Sequence, residues 1–453
     1  MSVPPDPPPA TPARRRRRWR PRLSLRTLMI LVAVLAVPAG WATHVVRTQR
    51  LAVAAVRAAG GTVTYDWQLE ATRDAQGRRV RPTGPSGPGW LRRWVGDELF
   101  QSARTAFLPV ATLETLAAVG RFGRLEQFSS NDLSRAGDGL RHLRGLGRLE
   151  MVWLRDSGLD DAMLGDLSQI PSIRRLAIGK SRAPTPSPSP AVGAATDAGF
   201  ALLARLPRVE VLLIRGYANL TDDGLARLVA GLPRLRNLSI EGGPHSLAGT
   251  MAALARHHPD LETLDLQATG VADADLTPLA GLGQLRSLRL DRTAITDTGL
   301  VHIRGLRSLT TLIASDTAIT DAGLELIGEL TNLGTLWLNG TRATDAGLAH
   351  LGRLAALKSL NLDATGVTDA GMPVLARLNG LERLSLDDVP GLTDAGLGPL
   401  GGMASLRRLE AAGTRVTAQG VAALRRAAPA LRVTATRPPG RATPPPVQPP
   451  ASR

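Results

Sequence analysis

One phrase recurs along the chain at a fixed interval. Residues 317–330, TAITDAGLELIGEL, are preceded by TAITDTGLVHIRGL and followed by TRATDAGLAHLGRL and TGVTDAGMPVLARL. Aligned on the threonine of T-D-x-G-L, the copies fall at Thr296, Thr320, Thr344, Thr368, Thr393 and Thr417, so the numbering advances by 24 at every step but one, where it advances by 25. Weaker copies begin at Thr112, Ala136, Asp160, Thr196, Thr221, Ser246 and Ala272. One step is badly off: Asp160 to Thr196 is too long by half a period, and it contains the twelve-residue Pro/Ser insertion SRAPTPSPSPAV at 181–192. Without the insertion that step returns to the common period. A fixed period between about 20 and 29 residues marks a solenoid, in which each coil buries its apolar stripes only against its neighbours.

Each copy has two halves. The first carries L-x-x-L-x-L, as in Leu285, Leu288 and Leu290, and its period-2 end specifies a short strand with one buried face. The second begins with a threonine suited to cap a helix and an aspartate favoured by that helix's positive end. Apolar residues then follow at helical spacing, as in Leu324, Ile327 and Leu330. On this reading each aspartate serves its own coil. A second threonine column, Thr269, Thr293, Thr317, Thr341, Thr365 and Thr414, falls at the turn leaving the strand. There a hydroxyl can satisfy backbone groups that no sheet reaches. That column breaks at Tyr217 and Val389, both in copies one residue longer than the rest, and Tyr217 is read as an alternative plug for the turn.

The composite pattern L-x-x-L-x-L-x-x-T-x-[IV]-T-D-x-G-L covers most of the chain and resembles the leucine-rich repeat. It is a 24-residue form with threonine where the common pattern has asparagine or cysteine. The resemblance implies an α/β solenoid with a curved parallel sheet on the concave side and short helices on the convex side. About thirteen coils are expected over residues 112–433, followed by a Pro-rich tail at 434–453 with too little apolar content to pack.

Upstream, the charge is concentrated at the start. Of the net +16, residues 1–60 hold +10 (eleven arginines against Asp6) and the tail +3, which leaves +3 for the rest. Residues 1–26 are a Pro/Arg-rich lead, expected to be disordered. From Thr27 to Val46 no residue is formally charged, and twenty helical residues span roughly 30 Å, the thickness of a bilayer core. Eight arginines precede this stretch, so the positive-inside rule puts the N-terminus in the cytoplasm and the repeats outside it, in a periplasmic or extracellular space. The fold class is therefore a solenoid after one transmembrane signal-anchor helix. Residues 47–111 form a juxtamembrane and capping region, with a helix and an edge strand expected in WLRRWVGDELFQSARTAFL just ahead of the first coil. The order of Arg-rich lead, apolar run, GGTVTYDW and repeats resembles bacterial membrane-anchored repeat proteins, which implies a tether and supplies no ligand. Cleavage near Gly40 would instead make the chain a secreted effector of the leucine-rich-repeat type.

The absence of cysteine excludes disulfides and thiolate metal sites. The seven histidines are scattered, and no H-E-x-x-H, G-x-S-x-G, P-loop or EF-hand motif occurs. No catalytic residue, metal site or cofactor is expected, and the basic lead lacks the aromatics of a nucleic-acid arm, so no nucleic-acid partner is expected either. What remains is a non-enzymatic scaffold that binds a protein or peptide on its concave face. An envelope structural or assembly element is the alternative. Two columns are the candidates: Glu241, Gln267, Asp291, Ser315, Asn339, Asp363 and Asp387, and one step earlier Asp265, Arg289, Trp337 and Asn361 among Ser239, Ile313 and Ser385. The first is acidic or polar throughout, which predicts a partner of basic or hydrogen-bonding character. In the second, Trp337 is expected to stand exposed, as is Trp153 in an earlier coil, and exposed aromatics dominate interface energies.

Overall fold

The structure is a computed structural model of the 453-residue chain, and it describes residues 25–69, 72–73, 79–80, 84–85, 88–95, 97, 101–155, 158–179, 195–217, 219–243 and 246–435. Residues 1–24 of the lead, the 181–192 insertion and the tail beyond 435 lie outside the described residues.

Among the described residues fifteen strands join in one sheet in chain order. From Ala103–Leu108 onward every neighbouring pair is parallel, and partners in the regular part stand one repeat apart, as in the run Thr263, Ser287, Thr311, Thr335 and Ser359. Across the insertion the register jumps from Arg175 to Val211 and pairing continues. A short helical segment, α, 3-10 or both, follows each strand of this series before the last. Strands pack about 4.8 Å apart, whereas helices with their side chains need about 10 Å. One of each per coil therefore bends the stack, with the sheet on the inside. The leucines of both halves fill a single continuous core between the two layers.

At the N-terminal end a long helix, α1 (Leu25–Ala58), turns through Gly60, whose φ of +74° suits a residue without a side chain, into strand β1 (Thr62–Tyr65). β1 pairs antiparallel with Ala103–Leu108 and forms the edge of the sheet. This corrects the expected edge: the strand at 103–108 lies inside the sheet, covered by a strand from GGTVTYDW. Ala52, Val53 and Val56 of α1 are buried against the first coil's helix, Leu113–Val119, and so close the open end of the core. Burying each valine there is worth roughly 1.5–3 kcal/mol. A two-stranded ribbon, Thr72–Arg73 with Arg79–Val80, follows β1 in the chain.

Among the described residues no helix is long and apolar enough to cross a membrane. Backbone of α1 runs through 27–46, but the side chains of Thr27, Leu28, Leu31, Leu35, Pro38, Ala39 and Trp41 lie outside the described residues.

The coils are held together by a device that the local reading of the aspartates missed. At most junctions the aspartate opening a helix reaches forward and accepts two hydrogen bonds from the capping threonine of the next coil. Asp297 takes the amide of Thr320 at 2.8 Å and its hydroxyl at 2.6 Å; Asp321 takes those of Thr344 at 2.7 and 2.6 Å. Eight junctions repeat this among the described residues, from Asp161–Thr196 to Asp394–Thr417. The same threonine hydroxyl accepts from an amide of its own helix, at Ala322 for Thr320. The glycine of T-D-x-G follows from the same geometry: a Cβ on Gly299, Gly323, Gly347 or Gly371 would land on the preceding coil's aspartate. Asp222 departs from the pattern and takes the amides of Gly249 and Thr250. In the last described coil Thr417 is followed by Ala418, where the other strong copies have aspartate.

The strand-exit threonines behave as expected within their own coils. Thr269, Thr293, Thr317, Thr341, Thr365 and Thr414 each donate to the carbonyl three residues back at 2.6–2.8 Å. Tyr217 is buried in the same place, edge-on to Phe200 with ring centroids 5.2 Å apart.

Candidate interaction surface

The strands alternate in burial, with their leucines turned into the core and the residues on either side turned to the open face. Paired residues of neighbouring parallel strands stand side by side, so the open face is read in columns. Its composition changes along the array. The strands at 151–155, 175–179 and 211–215 present Met151, Trp153, Ala177, Val211 and Leu213, with the exposed Arg175 between Met151 and Val211 and the Arg155 guanidinium 5.6 Å from the Trp153 ring. Asp265 and Arg289 follow, then Ile313 beside Trp337. The last three strands put Arg383, Arg408 and Arg432 in adjacent rungs. Trp153 and Trp337 are 39% and 37% exposed, a large area for tryptophan. At the lip where the chain enters the strands, charges alternate: Arg236 meets Glu262 at 2.5 Å, and Arg174 lies 3.8 Å from both Glu150 and Glu210. Exposed pairs of this kind contribute about 0–1 kcal/mol each.

The two predicted columns have different fates. Asp265, Arg289, Trp337 and Asn361 stand on the open face. The acidic and amide column does not face solvent as expected: Gln267, Asp291 and Ser315 are buried, while Glu241, Asn339, Asp363 and Asp387 are half-buried. These side chains sit at the turn leaving the strand and bond along the stack. Asp291 accepts from the Ser315 amide at 3.0 Å and from Arg289 Nε at 2.5 Å. Ser315 Oγ and Asn339 Oδ1 are 2.5 Å apart, with the hydroxyl donating. Asp363 accepts from the Ser385 hydroxyl at 2.6 Å and the Asp387 amide at 2.7 Å, and Asp387 accepts from the Ala412 amide at 2.7 Å. Glu241 pairs with Arg215 at 3.2 Å. Their acceptors are spent on their neighbours because amides leaving a parallel strand must be satisfied once the ladder ends. Burial pushes the Asp363 carboxyl above its ordinary range, with the Ser385 and Asp387 bonds opposing the shift in part. A basic partner is therefore no longer the expectation from this column.

Among solved structures with a similar fold, the yeast Rad7 and Elc1 complex matches over 90% of this chain and 97% of that chain, at 16% identity and a TM-score of 0.51. In-register parallel strands, one helix per coil and a leucine core now stand beside that likeness. This is a leucine-rich-repeat solenoid. An internalin from Listeria monocytogenes is also similar (20% identity, 65% of this chain and 76% of that chain, TM-score 0.45), as is a leucine-rich-repeat protein from Leptospira interrogans (14%, 72% and 94%, 0.39). No protein-family model matches the sequence, and no curated protein does.

In the leucine-rich-repeat solenoid the residue just before each strand's middle leucine also faces outward, and this column was missed. It includes Met151, Arg175 and Val211 in successive rungs and the three C-terminal arginines. The signal was available: R-L-S at 383–385, R-L-E at 408–410 and R-V-T at 432–434 each place an arginine one step before a core residue. Among the described residues no three His, Asp or Glu side chains gather as a metal site.

Proposed function

We propose that this leucine-rich-repeat solenoid is a non-enzymatic recognition scaffold that binds a protein partner across the open face of its sheet. The observation that carries the proposal is the pair of exposed tryptophans, Trp153 and Trp337, on the open face. They stand seven strands apart, roughly 33 Å along the ladder, and each has apolar companions, Leu213 and Met151 for one and Ile313 for the other. Rigid aromatics of this kind, surrounded by polar positions, anchor interfaces. A photo-crosslinking residue placed at 337 in cells making the protein should give a discrete protein adduct, and the same residue at 301 on the helical side should not. Equal adducts from both positions would remove the open face as the site.

The tether belongs to the same proposal. An uncharged run at 27–46 follows eight arginines, and Met29, Ile30, Val32, Val34 and Val37 on α1 are exposed apolar side chains that need cover. A single-pass anchor with the N-terminus cytoplasmic and the repeats outside supplies it. Carbonate-resistant membrane association that is lost on deleting residues 1–46, with repeats digested by protease outside intact spheroplasts, is the expected result. A soluble, protease-inaccessible chain would end this part of the proposal and leave the binding face untouched.

A further inference from the structure

We propose that the C-terminal end of the open face binds an acidic segment of the protein partner, through Arg383, Arg408 and Arg432. The inference rests on the open-face reading above and names the chemistry of what that face takes. The three arginines are directly paired in successive rungs, Arg383 with Arg408 and Arg408 with Arg432, and all three are exposed. None of them forms an ion pair among the described residues; Arg383 makes one long hydrogen bond, 3.5 Å, to the Ser359 hydroxyl. Like charges directly opposite one another destabilise a sheet. Other charges of the sheet meet opposite ones, as at Arg236–Glu262 and Arg289–Asp291, and Arg175, in the same column as the stack, has Met151 and Val211 beside it and no second arginine.

Three guanidiniums outnumber the carboxylates close to them among the described residues. Glu410 is the acidic side chain beside it on the face, and Glu382 is drawn toward Lys358 at 3.9 Å. Asp387 in the turn accepts from Ala412. After Glu410 the sequence contains seven arginines and no Asp or Glu. Three rungs span roughly 10 Å, and alternate side chains of an extended peptide are spaced about 7 Å. Two carboxylates at i and i+2 therefore fit between three guanidiniums, each bridged by two of them, in the charge-assisted geometry that arginine favours. Trp337 lies two strands before Arg383, so an apolar side chain about 10 Å upstream of the acidic pair would reach it. A nucleic-acid strand fits less well, because it carries a charge on every unit and beyond the three rungs would lay phosphates along uncharged Asn361, Trp337 and Ile313, whereas a peptide can confine its charge to the residues over the stack.

The test uses the full chain in detergent with three fluorescent probes: a twelve-residue peptide of alternating Glu and Ser, its Lys–Ser counterpart, and a twelve-nucleotide oligothymidylate. The Glu peptide should bind at low salt, the Lys peptide should not, and the Arg383→Ser/Arg408→Ser/Arg432→Ser variant should bind the Glu peptide at least about tenfold more weakly. The three positions are exposed, and an unchanged melting temperature would show that the variant folds. Equal affinity in wild type and variant, or no binding of the Glu peptide, overturns the proposal. So does oligothymidylate binding more tightly than the peptide and losing its affinity in the variant, which would make the occupant a nucleic acid. A partner adduct at 337 that persists undiminished in the arginine variant removes the acidic-segment proposal while the open-face reading stands.

Discussion

The helical side of each coil junction and the open sheet face are built from the same coils and obey different rules. At eight junctions the same three residue types meet in the same way: an aspartate, the next coil's threonine and, beside it, that coil's glycine. On the open face one column runs Asp265, Arg289, Ile313, Trp337, Asn361 and Ser385, six residue types in six rungs. The difference follows from who the neighbour is. A junction residue meets another copy of the same coil, so the solution found once serves every time. An open-face residue meets its own column mates and whatever arrives from outside, so its identity is free to follow the visitor.

The largest effect that could break this contrast is at a junction glycine. Gly323→Ala would push a methyl group onto Asp297, Ile319 and Leu300, and is expected to cost about 2–3 kcal/mol in urea unfolding, whereas Thr335→Ala on the open face should stay within about 0.5 kcal/mol. A Gly323→Ala protein as stable as wild type would show that the junction tolerates slack. Next in size is Asp321→Ala, which removes both bonds to Thr344 and is expected to cost about 1–2 kcal/mol by the same measurement.

Carboxylates of the two regions sharpen the comparison through acid. The Thr417 hydroxyl and amide hold Asp394 below its ordinary range, so its contribution is complete above the ordinary carboxylate pKa and is lost as pH falls through the lowered folded value. Burial holds Asp363 above that range, so it weakens the fold at neutral pH and is relieved as pH falls through the raised value. Asp394→Asn should lower the melting temperature at pH 7 and lose its effect in acid; Asp363→Asn should leave it unchanged or raise it at pH 7. Matching responses would erase the distinction. His258, buried with Nε2 2.7 Å from the Val229 carbonyl, has its pKa lowered chiefly by burial. It charges in the unfolded chain first, so stability should decline as pH drops below about 6.5, by at most about 1.4 kcal/mol per pH unit. His258→Gln should flatten that decline. The smallest effect lies at the turn: Ala364 sits at φ +54°, and Ala364→Gly should gain about 0.5 kcal/mol, with a loss instead pointing to a role for its methyl group.

Much of this was legible in the sequence, and the boundary is physical. Leucine spacing and the capping threonines mark strand and helix because those patterns depend on one coil at a time. Asp297 looked like a helix-start residue, and it is one, but its reach to Thr320 crosses a gap of 23 residues that no local pattern displays. Asp291 and Asp363 looked like surface because they follow a strand; they are turned inward by amides on the neighbouring coil. Trp337 was placed correctly, since strand alternation alone decides which way it points. The arginine stack was missed although each of three successive repeats places an arginine one step before a core residue, because only the columns after the middle leucine were read as facing outward.

Ala418 has a consequence best put in the language of polymers. Each coil is a monomer with a receiving end, the threonine, and a reactive end, the aspartate, so the strong copies form a directional chain that could add units without limit. The last described coil keeps the receiving threonine and replaces the reactive group with a methyl. At the other end α1 and β1 cover the first strand and the core beneath it. At Ala418 the described array therefore lacks the group that would bond a further threonine, so the directional series of threonine and aspartate runs from Asp161 to Thr417 and breaks there.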